Sequence, residues 1–412
     1  MKKVLLIALM FAINLCAQVM FATNLYAQLP IPNNDTRALF FSLVANKPFG
    51  QATLTALEPT LEKYCIALTP PNAAGDRTKI GDPVTHRWVR VGFGEGYWVW
   101  IVEADVYTPV CPVSQPAALG DVDGDGRVDL MWRDTGSGDV HLTLGNGQAL
   151  FQTIASGVPL TWQIMGLGDV NGDGKADLVW RETQTGSIAV WLMNGVTVLQ
   201  TPIVASGVPL AWQIEGLGDL DGDGKADLVW RNAQTGDVAV WFMNGATVRQ
   251  APVISAGLPL AWQTAGVADV DGDGKADLIW RNSQSGDVAA WFMSGSSVRQ
   301  ARVISPGVPL VWQITALGDL DGDHRADIVW RNTQTGDVAV WRLDGPTVKT
   351  VTMTSAGVPL SWEVVGAGDV DGDGKSDLVW FEAQSTSLSV WLMNGGTVRL
   401  PIALVVNGKP VS

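Results

Sequence analysis

A short acidic segment recurs six times along this chain of 412 residues, at an almost constant interval. The first aspartates of the segments are Asp121, Asp169, Asp219, Asp269, Asp319 and Asp369, which gives one interval of 48 residues and four of 50. Self-similarity at a fixed period of this length is typical of repeat proteins, in which each unit buries its apolar surface against its neighbours. The period therefore restricts most of the chain to a repeat architecture.

One complete unit predicts four short strands. Turn signals separate its apolar segments, which are Ala211–Leu220, Ala226–Asn232, Val238–Met243 and Thr247–Ile254. The connections are the acidic loop, a Thr-Gly-Asp turn and the pair Asn244-Gly245, and Asn-Gly between apolar runs is a strong hairpin signal. Each unit is therefore expected to be a four-stranded antiparallel meander.

The middle strands of each unit are apolar on both faces. Leu228 and Trp230 point to one face of the second strand and Val229 to the other. Such strands need cover on both sides, and units stacked face to face around an axis provide it. We predict an all-β protein built as a β-propeller, because meanders of this length suit blades better than the shorter coils of an open solenoid.

Six motifs predict six blades, although a seventh stays open. The first unit is degraded, since Ser114 and Thr143 stand where later units have tryptophan. A seventh blade assembled partly from the segment before Pro116 is the alternative. The predicted propeller spans residues 116–412.

Sixteen of the 19 tryptophans fall in the repeats. They could form sugar-stacking platforms or pack between blades, and their regular spacing favours packing. An arginine follows the second-strand tryptophan in five units, where an ion-pair or stacking role is expected, and Phe381 breaks the series in the last unit. The five arginines are Arg133, Arg181, Arg231, Arg281 and Arg331.

The acidic loop has the donor spacing of a calcium site. Counted from its first aspartate, carboxylates occupy positions one, three, five and nine, glycines occupy four and six, and the carbonyl of position seven is available. Ca²⁺ takes six to eight oxygen ligands, whereas Mg²⁺ prefers water and few carboxylates. Solvated turns are the alternative, but six copies at one phase favour bound metal.

We therefore predict up to six Ca²⁺ ions, each held by the side chains of positions one, three, five and nine and the carbonyl of position seven. The predicted ligands are Asp121, Asp123, Asp125, Arg127 and Asp129 in loop one; Asp169, Asn171, Asp173, Lys175 and Asp177 in loop two; Asp219, Asp221, Asp223, Lys225 and Asp227 in loop three; Asp269, Asp271, Asp273, Lys275 and Asp277 in loop four; Asp319, Asp321, Asp323, Arg325 and Asp327 in loop five; and Asp369, Asp371, Asp373, Lys375 and Asp377 in loop six.

Two details refine this prediction. A helical calcium hand needs a glutamate at position twelve, where this chain has Trp230, so the metal is expected to pin a hairpin connection. Asn171 removes one charge from loop two, and His324 replaces the glycine at position six of loop five. These two loops are predicted to bind calcium most weakly.

The six segments, GDVDGDGRVDL, GDVNGDGKADL, GDLDGDGKADL, ADVDGDGKADL, GDLDGDHRADI and GDVDGDGKSDL, resemble the calcium loops of FG-GAP/VCBS repeats. The resemblance covers about residues 116–405 and implies calcium loops between the first two strands of each blade, in a family that often closes with seven blades. The Phe-Gly…Gly-Ala-Pro signature is replaced by Val-Trp-Arg-Asn, which places the chain in the divergent bacterial branch of this resemblance.

The residues before the repeats divide into two parts. Residues 1–27 have the charged start and apolar run of a secretory signal peptide, with cleavage expected after Ala27 or, as a second candidate, Ala17. Residues 28–115 are expected to form a small β-rich domain with a hairpin near residues 87–107, faintly similar to a Src-homology-3-like barrel. Cys65 and Cys111 favour one disulfide in an exported protein, with two free thiols as the alternative.

The formal net charge of −14 argues against a nucleic-acid partner. The mature chain has three scattered histidines, no nucleophile elbow and no zinc signature, so we predict that it is not an enzyme. The leading hypothesis is a secreted, periplasmic or cell-surface monomer that binds protein or glycan through its interblade loops, with Ser255–Leu258 and Ala383–Leu388 as candidate contacts. An exported enzyme acting on polysaccharide and a purely structural envelope protein are the alternatives.

Overall fold

The computed structural model describes residues 86–91, 97–102, 114–146, 151–383 and 387–404. Every regular element in these ranges is a β-strand. The chain divides into two compact units, Met1–Pro112 and Val113–Ser412. The part of the chain that the structure describes contains no helix long and apolar enough to cross a bilayer.

The first unit contains the predicted hairpin. Strand β1 (His86–Val91) pairs antiparallel with β2 (Tyr97–Val102), and Trp88 lies opposite Trp100. The predicted signal peptide and both cysteines of the predicted disulfide lie outside the described residues. Those two predictions therefore remain predictions.

The second unit consists of six antiparallel meanders, each with four strand positions. Blade one contains β3 (Ser114–Gly120), β4 (Asp129–Asp134), β5 (Val140–Thr143) and β6 (Gln152–Ala155). Blade two contains β7 (Trp162–Gly168), β8 (Asp177–Glu182), β9 (Ile188–Asn194), β10 (Thr197–Gln200) and β11 (Ile203–Ala205). Blade three contains β12 (Trp212–Gly218), β13 (Asp227–Asn232), β14 (Val238–Asn244), β15 (Thr247–Gln250) and β16 (Val253–Ser255). Blade four contains β17 (Trp262–Ala268), β18 (Asp277–Asn282), β19 (Val288–Ser294) and β20 (Ser297–Ser305). Blade five contains β21 (Trp312–Gly318), β22 (Asp327–Asn332), β23 (Val338–Asp344) and β24 (Thr347–Ser355). Blade six contains β25 (Trp362–Gly368), β26 (Asp377–Glu382), β27 (Ser387–Asn394) and β28 (Thr397–Leu404).

The fourth strand is split in blades two and three and continuous in blades four to six. The gaps in β10/β11 and β15/β16 contain Pro202 and Pro252, which have no N–H to complete the strand pattern. Blade four has Arg302 at this point, and β20 pairs with β19 without a gap. The continuous fourth strand predicted for Thr247–Ile254 is therefore interrupted at its proline.

The six blades close into a ring. The first strand of each blade lies beside the first strand of the next, and β25 of blade six lies beside β3 of blade one. Because strands carry apolar side chains on both faces, the cores lie between blades: Val229 and Val240 of blade three pack with Leu278 and Trp280 of blade four. The propeller thus has six blades, and a seventh is not needed to close it.

The first strands of adjacent blades approach each other so closely that only small residues fit between them. The first strand of blade three bulges between Ile214 and Gly216, next to the first strand of blade four. A Cβ atom on Gly216 would lie 2.6 Å from Val267 Cγ2. The glycine at this position is therefore a packing requirement of the ring rather than a flexible point.

The second-strand tryptophans are packing residues, as predicted. Trp230 is 1% exposed, its ring centroid lies 4.6 Å from that of Trp241 in the same blade, and Arg181 of the preceding blade stacks over it at 5.1 Å. Arg181 also donates to the Pro209 carbonyl at 3.2 Å. The predicted stacking role of the arginine series is confirmed.

Blade one and blade six meet through a modified version of this contact. Thr143 replaces the third-strand tryptophan, and its Oγ1 accepts a hydrogen bond of 3.0 Å from Trp132 Nε1. Phe381, which stands in place of the arginine, packs edge-on against Trp132 with ring centroids 6.0 Å apart. The junction is therefore closed by aromatic contacts without the cation.

Candidate metal centres

The aspartate at position one organises each acidic loop. Asp219 Oδ1 accepts hydrogen bonds from the N–H groups of Gly222 at 2.7 Å and Asp223 at 3.2 Å, and its Oδ2 accepts one from Gly224 at 2.7 Å. Both glycines have positive φ, at 79° and 81°. The loop therefore curls tightly around one carboxylate, in the left-handed conformation that glycine adopts most readily.

The aspartate at position nine is buried beneath the loop. Asp227 is 0% exposed, its Oδ2 accepts the Leu220 N–H at 3.1 Å, and its Oδ1 accepts the Met243 N–H at 2.9 Å. It thereby ties the loop to the third strand of the same blade. Each of its oxygens keeps a lone pair that a metal ion could use.

Three carboxylates converge in five of the six loops. Oxygen atoms of positions one, three and nine lie within 4.8 Å of one another in loops one, three, five and six, and those of positions one, three and five do so in loop four. In loop two the third position is Asn171, an amide that donates to Asp173 Oδ2 at 3.1 Å. The structure thus brings together most of the predicted side-chain ligands, whereas the role of the position-seven carbonyl remains a prediction.

The acidic loops are linked to one another around the ring. The N–H of position eight donates to the carbonyl of position one in the preceding blade, as from Ala276 to Asp219 at 2.7 Å. The closing bond runs from Val128 of blade one to Asp369 of blade six, also at 2.7 Å. These bonds join backbone atoms of different repeats, so no residue pattern could have revealed them.

Basic side chains from the fourth strand reach the outer carboxylates of four loops. In blade three, Arg249 lies 2.9 Å from Asp221 Oδ2 and 2.7 Å from Asp223 Oδ2. Arg299 contacts Asp271 and Asp273, Lys349 contacts Asp323, and Arg399 contacts Asp371 and Asp373. These basic residues were not predicted from the sequence, although their recurrence thirty residues after the first aspartate was a readable signal.

The residues present fit a calcium ion. The donors are exclusively oxygen atoms, which suits a hard cation. A guanidinium between positions three and five, as at Arg249, shows that this point attracts positive charge. The carboxylates of positions one, three, five and nine would hold the ion, and the ion would supply charge neutralisation and cross-linking of the loop.

His324 adopts the left-handed backbone conformation that glycine adopts in the other acidic loops. Its φ is 63°, and its N–H donates to Asp319 Oδ2 at 2.7 Å, as the glycine does elsewhere. We expect His324→Gly to raise the free energy of unfolding by about 1 kcal/mol, because a side chain in this conformation costs about that much. Urea unfolding in excess calcium would measure the gain, with His324→Ala as the control that keeps the strain. Equal stability of the Gly and Ala variants would contradict the prediction.

The stability of the calcium-free protein should depend on pH through position nine. Burial, with a smaller contribution from neighbouring carboxylates, raises the pKa of Asp227 to about 7. The pKa is likewise about 7 for Asp129, Asp177, Asp277 and Asp327 and about 6 for Asp377.

An unfolded aspartate has a pKa of about 3.9, so between about pH 4 and pH 7 the folded chain holds protons that the unfolded chain has released. In chelator, the urea midpoint should therefore fall as the pH rises through this window. Excess calcium should reduce the fall, because the ion takes the place of the protons. A midpoint that rises with pH in chelator would contradict this expectation.

Among solved structures, the fold is similar to that of a lectin from Agrocybe aegerita, described as recognising non-reducing terminal N-acetylglucosamine. The two share 21% sequence identity at a TM-score of 0.51, over 75% of this chain and 86% of the lectin chain. At this identity the likeness shows the fold alone.

Two further structures are more distant. The regucalcin of Agrobacterium tumefaciens shares 13% identity over 69% of this chain and 94% of its own, with a TM-score of 0.42. A structure of a nidogen/laminin complex shares 13% identity over 58% of this chain and 80% of the matched chain, with a TM-score of 0.40. Neither score is high enough to carry an argument.

No curated protein matches the sequence. A sequence model of the FG-GAP-like repeat matches five overlapping segments, which are residues 121–180, 169–230, 219–280, 269–330 and 319–380. These matches tile more than half of the chain and begin at the first aspartate of each of the first five acidic loops. The chain therefore belongs to the FG-GAP-like repeat family.

Proposed function

We propose that the protein is a calcium-stabilised β-propeller that acts as a binding scaffold for protein or glycan ligands. The proposal includes export to the periplasm, cell surface or medium, and action as a monomer. Converging carboxylates in five loops and the oxygen-only donor set support the calcium role. Exposed leucines at the other end of the blades support ligand binding.

The observation that carries this proposal is a ring of exposed leucines. They occupy one repeat position just before the first strand and are 46–53% exposed: Leu160, Leu210, Leu260, Leu310 and Leu360. The acidic loop follows the same strand, and seven residues span roughly 23 Å. The leucine ring and the acidic loops therefore lie at opposite rims, and repeated exposed apolar side chains are typical of interaction surfaces.

The loops predicted as contacts lie partly on the leucine rim. Within Ser255–Leu258, Ala256 and Gly257 are exposed, and the Gly257 N–H donates to Asp237 Oδ1 at 2.7 Å. Of Ala383–Leu388, residues 384–386 lie outside the described part of the chain. The leucine ring therefore gives a better defined surface for a first test than the second of these loops.

An exported polysaccharide-acting enzyme is the second candidate. His141 is buried, its Nδ1 lies 2.9 Å from Thr153 Oγ1, and its ring stacks on Phe151. His324 lies within an acidic loop. His141 thus packs within blade one, and the backbone of His324 closes the turn of its acidic loop. These roles in the fold favour the scaffold over the enzyme.

A glycan array probed with and without calcium would test the proposal, starting with terminal N-acetylglucosamine because the similar lectin is described as recognising it. We expect calcium-dependent binding that falls at least tenfold in the double variant Leu210→Ser/Leu260→Ser. Leu199→Ser, at an exposed leucine on the outer strand, is the control and should bind normally.

The competing functions give different results in the same experiment. Release of reducing sugar from a bound polysaccharide would favour the enzyme. Absence of both binding and release, for glycans and for extracellular proteins, would leave the purely structural envelope role. Full binding by the double leucine variant would place the contact surface elsewhere on the propeller.

A further inference from the structure

The six acidic loops differ in the positive charge that the chain itself supplies. In blades three to six, the fourth-strand residue thirty positions after the first aspartate is basic: Arg249, Arg299, Lys349 and Arg399. Arg399 Nη1, for example, lies 3.0 Å from Asp373 Oδ2. Blade five has a second such contact, from Arg342 to Asp321.

The corresponding segments of blades one and two, residues 148–155 and 197–205, contain no arginine or lysine. Leu199 occupies the corresponding position in blade two and is 53% exposed. In blade one, the Asn146 amide, a neutral donor, contacts Asp123 at 2.9 Å and Asp125 at 2.7 Å. Within the described residues, the carboxylates of loops one and two form no ion pair.

The effective charge of each loop follows from this difference. Loop one keeps four aspartates without a cationic partner from the fourth strand, and loop two keeps three. In loops three, four and six, one arginine offsets one of four negative charges, and in loop five Arg342 and Lys349 offset two. Every loop also has a basic residue at position seven. It pairs with the position-five aspartate only in loop three, from Lys225 to Asp223 at 3.5 Å, and in loop five, from Arg325 to Asp323 at 3.8 Å, among the described residues.

We infer that the fourth-strand basic residue competes with calcium for the carboxylates of positions three and five, and so ranks the six sites. Loop one, with the largest uncompensated charge, fills first, and loop five fills last. The guanidinium and the ion are drawn to the same oxygens, and like charges at close range weaken each other's binding. This inference rests on the proposed calcium role of the loops.

Leu199 of blade two and Arg299 of blade four occupy the same repeat position, so each side chain can be placed in the other blade as a test. Arg299→Leu gives loop four the residue that loop two already has, and Leu199→Arg gives loop two the cation. Arg302→Leu, at an exposed arginine of the same strand as Arg299, is the matched control, because Arg302 contacts no acidic loop within the described residues. Position-three substitutions identify the loop: Asp123→Asn for loop one and Asp271→Asn for loop four.

The full chain is first stripped of calcium with a chelator and is then equilibrated in buffers of fixed free calcium. Elemental analysis measures the calcium bound at each concentration. The first binding event should shift to higher calcium in Asp123→Asn, which gives loop one the asparagine that loop two already has, and should stay unchanged in Asp271→Asn. Arg299→Leu should tighten one site about tenfold, Leu199→Arg should weaken one site about tenfold, and Arg302→Leu should change neither.

Two outcomes would overturn the inference: weakening of the first binding event in Asp271→Asn instead of Asp123→Asn, or identical titrations for Arg299→Leu and Arg302→Leu. If Arg299→Leu fails to fold, Leu199→Arg, at an exposed position, decides the question alone. Absence of any calcium binding by the wild-type chain at millimolar calcium would be a different failure, that of the proposed calcium role itself.

Discussion

Chelation of calcium is expected to lower the Tm of the wild-type protein by roughly 20 °C or more. At a hundredfold excess over the dissociation constant, one bound ion adds about 2.7 kcal/mol, so six sites would add about 16 kcal/mol. That sum is comparable with the whole stability of a typical domain, and 1 kcal/mol shifts the Tm of a protein of this size by roughly 2–4 °C.

The expected effect is large because backbone hydrogen bonds between acidic loops link neighbouring blades around the ring. Each acidic loop is bonded to its neighbour through backbone atoms, and the closing bond runs from Val128 to Asp369. Repulsion within one uncompensated loop therefore acts on the junction between two blades. We expect this repulsion to be strongest in blade one, because its four aspartates have no fourth-strand cation.

Tryptophan fluorescence during heating, in calcium, in chelator and in magnesium, would measure this effect. Magnesium should restore little of the lost Tm, because it keeps its water shell and suits few carboxylates. Position-three variants such as Asp221→Asn should give a smaller loss, since five loops remain intact. A Tm that is the same in calcium and in chelator would refute the calcium-stabilised propeller.

The second large effect is expected from the tryptophans between blades. Trp280→Ala should lower the free energy of unfolding by about 3–5 kcal/mol, the usual cost of emptying a buried tryptophan site. Trp280 is 1% exposed, packs against Trp291 at 4.8 Å, and carries Arg231 of the preceding blade over its ring at 5.2 Å. The substitution therefore removes a contact within one blade and a contact between two.

Leu260→Ala is the matched control for this variant, since Leu260 is 50% exposed and its truncation should change stability by less than about 0.5 kcal/mol. Urea unfolding in saturating calcium would measure both variants and keep the metal contribution constant. A loss of less than about 1 kcal/mol for Trp280→Ala would show that the interblade tryptophans are not the main packing residues.

The strands themselves were readable from the sequence because their signals are local. The alternation of Leu228, Val229 and Trp230 predicted a strand with cover on both faces, and the structure packs the two faces against different blades. The pair Asn244-Gly245 predicted the tight turn between the third and fourth strands, and Gly245 has the positive φ that such turns need. The fourth strand was less well predicted, because Pro252 has no N–H and interrupts its pairing.

The acidic loops were predicted residue by residue, but their surroundings were not. Spacing identified the aspartates at positions one, three, five and nine, since curling of the backbone depends on neighbouring residues only. Arg249 lies 28 residues after Asp221, and their contact exists because the fourth strand returns beside the loop. The sequence shows the arginine, but only the folded structure shows that it lies beside the carboxylate.

The period, the two-sided strands and the donor spacing in each loop followed from the sequence alone, because these are interactions between residues that are close in the chain. The number of blades, the bonds that join one acidic loop to the next and the pairing of loops with internal cations were decided by the tertiary structure. Those features depend on where the ring closes and which repeats become neighbours in space. A periodic sequence predicts that its units stack, whereas the twist and the packing between them determine when the stack meets its own beginning.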